Sequence, residues 1–213
     1  MTITIDITSD FICPWCWIGH TNLKAALALA GQPHVQQRFL PFELNPGMPP
    51  EGVNRQAYRT AKFGNWARSQ SMDEDVTQAG KQIGLDFHYD RITHTPNTRL
   101  AHKLIAYAQL QGDSVKSERL FEALFVAYFS HGRNIGDPAV LADLAAAQGL
   151  DTQAALAYLH SDTADTLLDA ALEQAHAARL NSVPSLLIGN HRIVGAQSAE
   201  SLAAILVKLN HHE

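Results

Sequence analysis

Between Thr2 and Thr8 the chain alternates, with Ile3, Ile5 and Ile7 on one side, the period of a strand with one buried face. Ser9-Asp10 makes a turn. From Pro14 the period lengthens to that of a helix, with Leu23, Leu27 and Ala30 recurring on one face and Gly31 closing it. Val35 to Phe42 predicts a second strand, followed by the turn-rich stretch Asn45 to Gly52. Strand, helix and strand joined this tightly make a parallel, right-handed βαβ unit.

The middle of the chain, from about Asn54 to Leu180, is rich in Ala, Leu and Gln and poor in β-branched runs. Asn97 or Thr98 opens a helix carrying Leu100, Leu104, Ile105 and Ala108, stopped at Gly112. Leu120, Phe121, Leu124, Phe125, Tyr128 and Phe129 form an apolar stripe that ends at Gly132. Asp137-Pro138 is a cap with proline at the first helical position, Gly149 ends that helix, and Asp151 and Asp162 open two more. An all-helical block is expected here.

The end of the chain returns to strands. Ser185–Ile188 and His191–Val194 flank Gly189-Asn190, a two-residue hairpin turn, and Ser198 caps a last helix with Leu202, Ile205, Leu206 and Leu209 on one face. The order βαβ, helical block, ββα predicts an α/β protein of thioredoxin-like fold with a large all-helical domain inserted between its halves. The expected boundaries are 1–50 and 181–213 for the thioredoxin-like domain and 51–180 for the insertion.

Composition narrows the function. Of 213 residues, 46% are hydrophobic and 17% charged, enough apolar side chains for a sizeable core. The net charge of −5 and the absence of a basic block argue against a nucleic-acid partner. No apolar run is long enough to span a membrane, and no basic start followed by an apolar run marks a secretory leader, so a cytoplasmic protein is expected.

The two cysteines, Cys13 and Cys16, form the single Cys-x-x-Cys of the chain, Cys13-Pro14-Trp15-Cys16. A ring this small stabilises little by chain entropy, and in a reducing compartment such a pair is reactive more often than structural. Its place at a helix start matters, because unpaired N–H groups and the positive dipole end favour thiolate over thiol. Cys13 is therefore expected to attack, and Cys16, one turn further in, to resolve a mixed disulfide. Pro14 stiffens the loop, and Trp15 adds an aromatic surface but no positive charge. Zinc would need two further ligands; His20 could supply one and no fourth is evident, so no metal is expected. Haem attachment fails because Trp17, not His, follows Cys16. Val183-Pro184 precedes the hairpin, where a cis bond would bring backbone beside the cysteines to pair with an extended substrate.

Ser9-Asp10-Phe11-Ile12-Cys13-Pro14-Trp15-Cys16-Trp17-Ile18-Gly19 resembles the opening of the FrnE-type branch of the DsbA-like oxidoreductases. The resemblance continues through Pro41-Phe42-Glu43-Leu44-Asn45-Pro46, Pro96-Asn97-Thr98 with Ala101-His102, Ser182-Val183-Pro184 and Gly195-Ala196-Gln197. It implies a two-cysteine redox enzyme with a cis-proline loop, a cytoplasmic location and a homodimer. The expected activity is protein-disulfide exchange of reductase or isomerase type on a thiol- or disulfide-bearing protein or small molecule. No bound cofactor is implied, and glutathione is the candidate co-substrate.

The related kappa-type glutathione transferases supply the alternative: a glutathione-dependent transferase or isomerase acting on a small hydrophobic substrate. Substrate contacts are expected from Pro14, Trp15, Val183 and Pro184. Asn97 and Thr98 either join them or serve as helix caps. Lys62 is a candidate anion contact or an exposed helix lysine, and His102 reads as a packed or solvated helix residue. Trp17 and Phe11 either border an apolar groove or pack in the core.

Overall fold

The computed structural model describes residues 4–31 and 35–210. Its central sheet has four strands: β1 (Thr4–Ser9), β2 (Gln36–Pro41), β5 (Ser185–Ile188) and β6 (His191–Val194), in the order β2-β1-β5-β6. β1 and β2 are parallel, with Ile7 opposite Phe39; β5 runs antiparallel to β1, and β6 to β5. Helix α1 (Pro14–Leu29) makes the crossover and packs against the last helix, α9 (Ala199–Asn210). Thr2 and Ile3 of the expected first strand lie outside the described residues, and the second strand is shorter than the expected Val35 to Phe42.

Between β2 and β5 stand the helices α2 (Arg55–Phe63), α3 (Trp66–Gln82), α4 (Arg99–Leu110), α5 (Ser114–Phe125), α6 (Pro138–Ala147), α7 (Thr152–Leu159) and α8 (Asp162–Ala177). The expectation of an entirely helical middle is corrected at one place. β3 (Val53–Asn54) pairs with β4 (His94–Thr95) in a two-stranded sheet, held by Val53 opposite Thr95 and Asn54 opposite His94. So short a ladder has no periodicity to read.

The caps follow side-chain chemistry. Asp137, Asp151 and Asp113 accept hydrogen bonds from backbone N–H groups in the first turns of α6, α7 and α5, and Ser198 does so for α9. Helix α8 opens at Asp162 as expected, with the Ser161 hydroxyl accepting from the Ala164 N–H as its cap. At α4, Thr98 occupies the cap position without a capping bond, and the Asn97 carboxamide accepts from the Arg99 N–H instead.

The core seam between sheet and helices is aromatic. Phe121 of α5 stacks on Phe39 of β2 with ring centroids 4.1 Å apart, and Phe11 sits against Phe121 and Phe125. Trp17 lies parallel to Phe125 and edge-on to Phe87. After Phe125 the chain continues as a π-helical turn, Val126–Ser130, in which Tyr128 and Phe129 are both buried and Phe129 stacks on Trp17 of α1. Gly132, with φ +64, follows, and a Cβ there would collide with the Arg91 carbonyl.

Candidate active site around Cys13 and Cys16

β1 delivers the chain into a tight turn. The Cys13 N–H donates to the Asp10 carbonyl at 3.0 Å, and the Cys16 N–H to the Cys13 carbonyl at the same distance. Cys13 thus takes the N-cap position of α1, with extended backbone, and Pro14 is the first helical residue, where its missing N–H costs no hydrogen bond. Both cysteines are free thiols. Cys16 is inside the core, and burial pushes its thiol well above the ordinary cysteine value, with the neighbouring Cys13 sulfur acting in the same direction. Trp15 projects outward and is 43% exposed.

Across from the helix start, the Val183–Pro184 peptide bond is cis, and the Val183 carbonyl lies 3.9 Å from Cys13 Sγ. α1 approaches this loop closely because residue 19 is glycine. A Cβ on Gly19 would come within 3.0 Å of Pro184 Cγ.

Beneath the turn Asp10 is wholly buried, and its carboxylate accepts from the Leu44 N–H at 2.7 Å. His102 packs its ring against Phe11, and its Nε2 lies 3.1 Å from the Phe42 carbonyl and 3.7 Å from Asp10 Oδ1. His102 is therefore a packed residue that braces the cysteine turn.

A cavity of about 320 Å³ opens beside Cys13, Pro14 and Trp15. Its far wall is α2 and α3. Lys62 donates to Asn45 Oδ1 and to the Tyr58 hydroxyl, each at 2.8 Å, and the Tyr58 hydroxyl donates to the same Asn45 oxygen. Arg55 and Arg59 share Asp73, at 2.6 and 2.9 Å, and the Arg55 guanidinium also lies over the Tyr89 ring. Burial pushes the Tyr128 hydroxyl up to about 12 and Tyr89 higher still, so both line the cavity as neutral phenols. Three cationic side chains thus face two carboxylates, Asp73 and Asp75.

Of the residues expected at the site, Cys13, Pro14 and Trp15 line this cavity and Val183 stands against Cys13. Asn97 and Thr98 do not reach its wall. Both are buried, and Asn97 uses its carboxamide on the Met48 carbonyl and the Arg99 N–H. Trp17 and Phe11 are core residues outside this wall. Lys62 is exposed, as one of the two expectations had it, and its side chain also lines the cavity. His20 is apart from the cysteines in its bonding; it faces Glu122 at 3.3 Å, and Lys24 is 2.5 Å from the same carboxylate. Sequence reasoning missed Arg55, Tyr58, Arg59 and Asp73. A signal was present, because positions 55, 59 and 62 are spaced by four and three, which puts three cations on one helix face.

The DSBA-like thioredoxin domain family matches residues 4–207. YwbO of Bacillus subtilis, itself uncharacterized, is 28% identical over 199 residues, covering 92% of each chain. A Streptomyces coelicolor structure assigned as a DsbA oxidoreductase superposes with a TM-score of 0.89 at 25% identity, over 99% of this chain and 91% of that one. The cytosolic disulfide reductase DsbM of Pseudomonas aeruginosa, solved with glutathione, shares the fold with a TM-score of 0.70 at 17% identity, over 98% and 99% of the two chains.

Proposed function

From the membership of this chain in the DSBA-like thioredoxin domain family, we infer that it exchanges thiols and disulfides through Cys13 and Cys16, in the reductase or isomerase direction. The observation that carries this reading is the asymmetry of the pair. Cys13 stands at a helix N-terminus on the cavity wall, and Cys16 is enclosed behind it.

The Cys13 thiolate attacks one sulfur of a substrate disulfide, forming a mixed disulfide and releasing the other sulfur as a thiolate. That leaving thiolate takes the Cys16 proton. Cys16 then attacks Cys13 Sγ, the Cys13–Cys16 disulfide forms, and the second substrate sulfur departs. A low-molecular-weight thiol such as glutathione returns the pair to the reduced state and is itself oxidised to its disulfide. Holding the Cys16 proton until a thiolate leaves keeps the resolving step second.

The direction is supported by the dipeptide. Strong oxidants stabilise their reduced form, and Pro14-Trp15 supplies no cation to do so. A reductase suits a reducing compartment, the cytosol, which is the setting stated for DsbM. The excess of cations over carboxylates around the cavity, with the unpartnered Asn45 Nδ2 and Tyr89 hydroxyl in its wall, suits a substrate that carries carboxylates. Val183, whose carbonyl lies 3.9 Å from Cys13 Sγ, offers its backbone to an extended peptide.

The test is insulin-disulfide reduction with glutathione as reductant. Cys13→Ser should abolish turnover, and Cys16→Ser should accumulate mixed disulfides that a mass spectrum resolves. Turnover retained by Cys13→Ser would refute the assignment. Glutathione conjugation or isomerisation of a small hydrophobic molecule, without disulfide exchange, would replace it with the kappa-type reading.

A further inference from the structure

Among the described residues, the buried side-chain polar atoms without a hydrogen-bond partner fall in three places. Two are the ring nitrogens of His20, and Asn45 Nδ2 and the Tyr89 hydroxyl belong to the wall of the Cys13 cavity. The other three, Ser9 Oγ, Gln37 Oε1 and the Tyr158 hydroxyl, belong to residues lining a second cavity. This one is larger, about 560 Å³, and shares no lining residue with the first. Unpartnered buried polar groups are rare enough that their grouping around one cavity calls for a reason.

The second cavity lies between the edge strand β2 and the helices α4 and α8. Its walls are mainly apolar, with Ile105, Phe121 and Leu168 inside, and two leucines stay exposed at its border, Leu110 at 63% and Leu167 at 49%. Along the strand, Gln109 behaves as a neighbouring strand would. Its carboxamide accepts from the Phe39 N–H at 2.8 Å and donates to the Phe39 carbonyl at 3.0 Å. Because alternate residues of a strand point their backbone groups the same way, Gln37 and Pro41 face the same side as Phe39. Pro41 has no N–H, so Gln37 is the one position of the edge that offers both an amide and a carbonyl. One such position is too little for a polypeptide to add as a strand, and the volume falls in the range of small-molecule sites.

We propose that this cavity binds a small, mainly apolar molecule bearing a carboxamide or an equivalent paired donor and acceptor. That group would bond to the Gln37 backbone as the Gln109 carboxamide bonds to Phe39. The unpartnered oxygens of Ser9 and Gln37 belong to residues of this same wall. Ser9 and Phe11, which lead into Cys13, form part of the wall, so a bound molecule rests against the strand that carries the cysteines.

The experiment is titration of the reduced, isotope-labelled protein with 1-naphthaleneacetamide, followed by amide NMR, with 1-methylnaphthalene as the probe lacking the carboxamide. Saturable shifts are expected at the Gln37, Leu40 and Gln109 amides, with binding about tenfold weaker for 1-methylnaphthalene, the equivalent of one lost hydrogen-bonding group. Ala106→Phe, which fills the cavity from α4, should remove these shifts and leave insulin reduction unchanged. If that variant does not fold, Leu167→Glu on the exposed border should weaken binding severalfold. Shifts confined to Trp15 and Tyr58, no saturation up to the solubility limit, or unchanged binding in the folded variants would overturn the proposal.

Discussion

Replacing Asp73 by alanine is the sharpest test of how the wall opposite Cys13 is held. Its carboxylate takes Arg55 on one oxygen and Arg59 on the other, and their side chains are only 4% and 18% exposed. Breaking a buried ion pair by removing one partner costs about 3–5 kcal/mol, because the remaining charge stays desolvated. Two features reduce that figure here. Arg55 keeps its place over the Trp66 and Tyr89 rings, at 5.6 and 5.1 Å, and Arg59 keeps its bonds to Ser69 and enough exposure to recruit water. The expected loss is therefore near the bottom of the range, about 3 kcal/mol. For a chain of this size that lowers the melting temperature by about 6–12 °C. Urea denaturation followed by circular dichroism reads the stability directly. Arg55→Met combined with Asp73→Leu should recover much of the loss, since an apolar pair avoids the desolvation cost. A loss below about 1 kcal/mol for Asp73→Ala would put this pair in the class of surface salt bridges and refute the account of the wall.

Two further outcomes are expected. Iodoacetamide at pH 8 should add one carbamidomethyl group per native chain, at Cys13, because the Cys16 thiol is buried and held well above its ordinary value; peptide mass spectrometry showing equal labelling of both would contradict the site geometry. Glu122 is lowered to about 2; burial alone would raise it, and the Lys24 hydrogen bond together with the neighbouring His20 ring outweighs that. A carboxylate depressed in the folded state contributes stability above its unfolded value, and the contribution disappears as pH falls through the folded one. The stability gap between the wild type and Glu122→Gln should thus be constant above about pH 5 and close between about pH 4.5 and 2, measured by urea titration at each pH; a gap that persists at pH 2 would exclude the carboxylate as its source.

What could be read from the sequence divides along a physical line. Features that depend on neighbours within a few residues were legible: the alternation of β1, the capping aspartates at 137 and 151, the Gly189-Asn190 hairpin, and the entry of the Cys-x-x-Cys into a helix. Each is a local contest between backbone hydrogen bonding and side-chain sterics, and the winner is decided by the residue types. Features assembled from distant segments were not. The β3–β4 ladder joins residues 53–54 to 94–95, and nothing in either pair of residues announces the other. The cavity wall is similar. Arg55, Arg59 and Lys62 could be placed on one helix face, but only the folded chain shows that this face turns toward Cys13 and shares Asp73 and Asn45. Asn97 illustrates the converse, since a motif position expected at the site turned its carboxamide to the Met48 carbonyl and a helix N–H. The chemistry of the cysteine pair is thus written locally, and what meets it is set by the inserted helices. Substrate choice in this chain should accordingly change with substitutions on the 55–62 face, while the exchange reaction itself should follow Cys13 and Cys16.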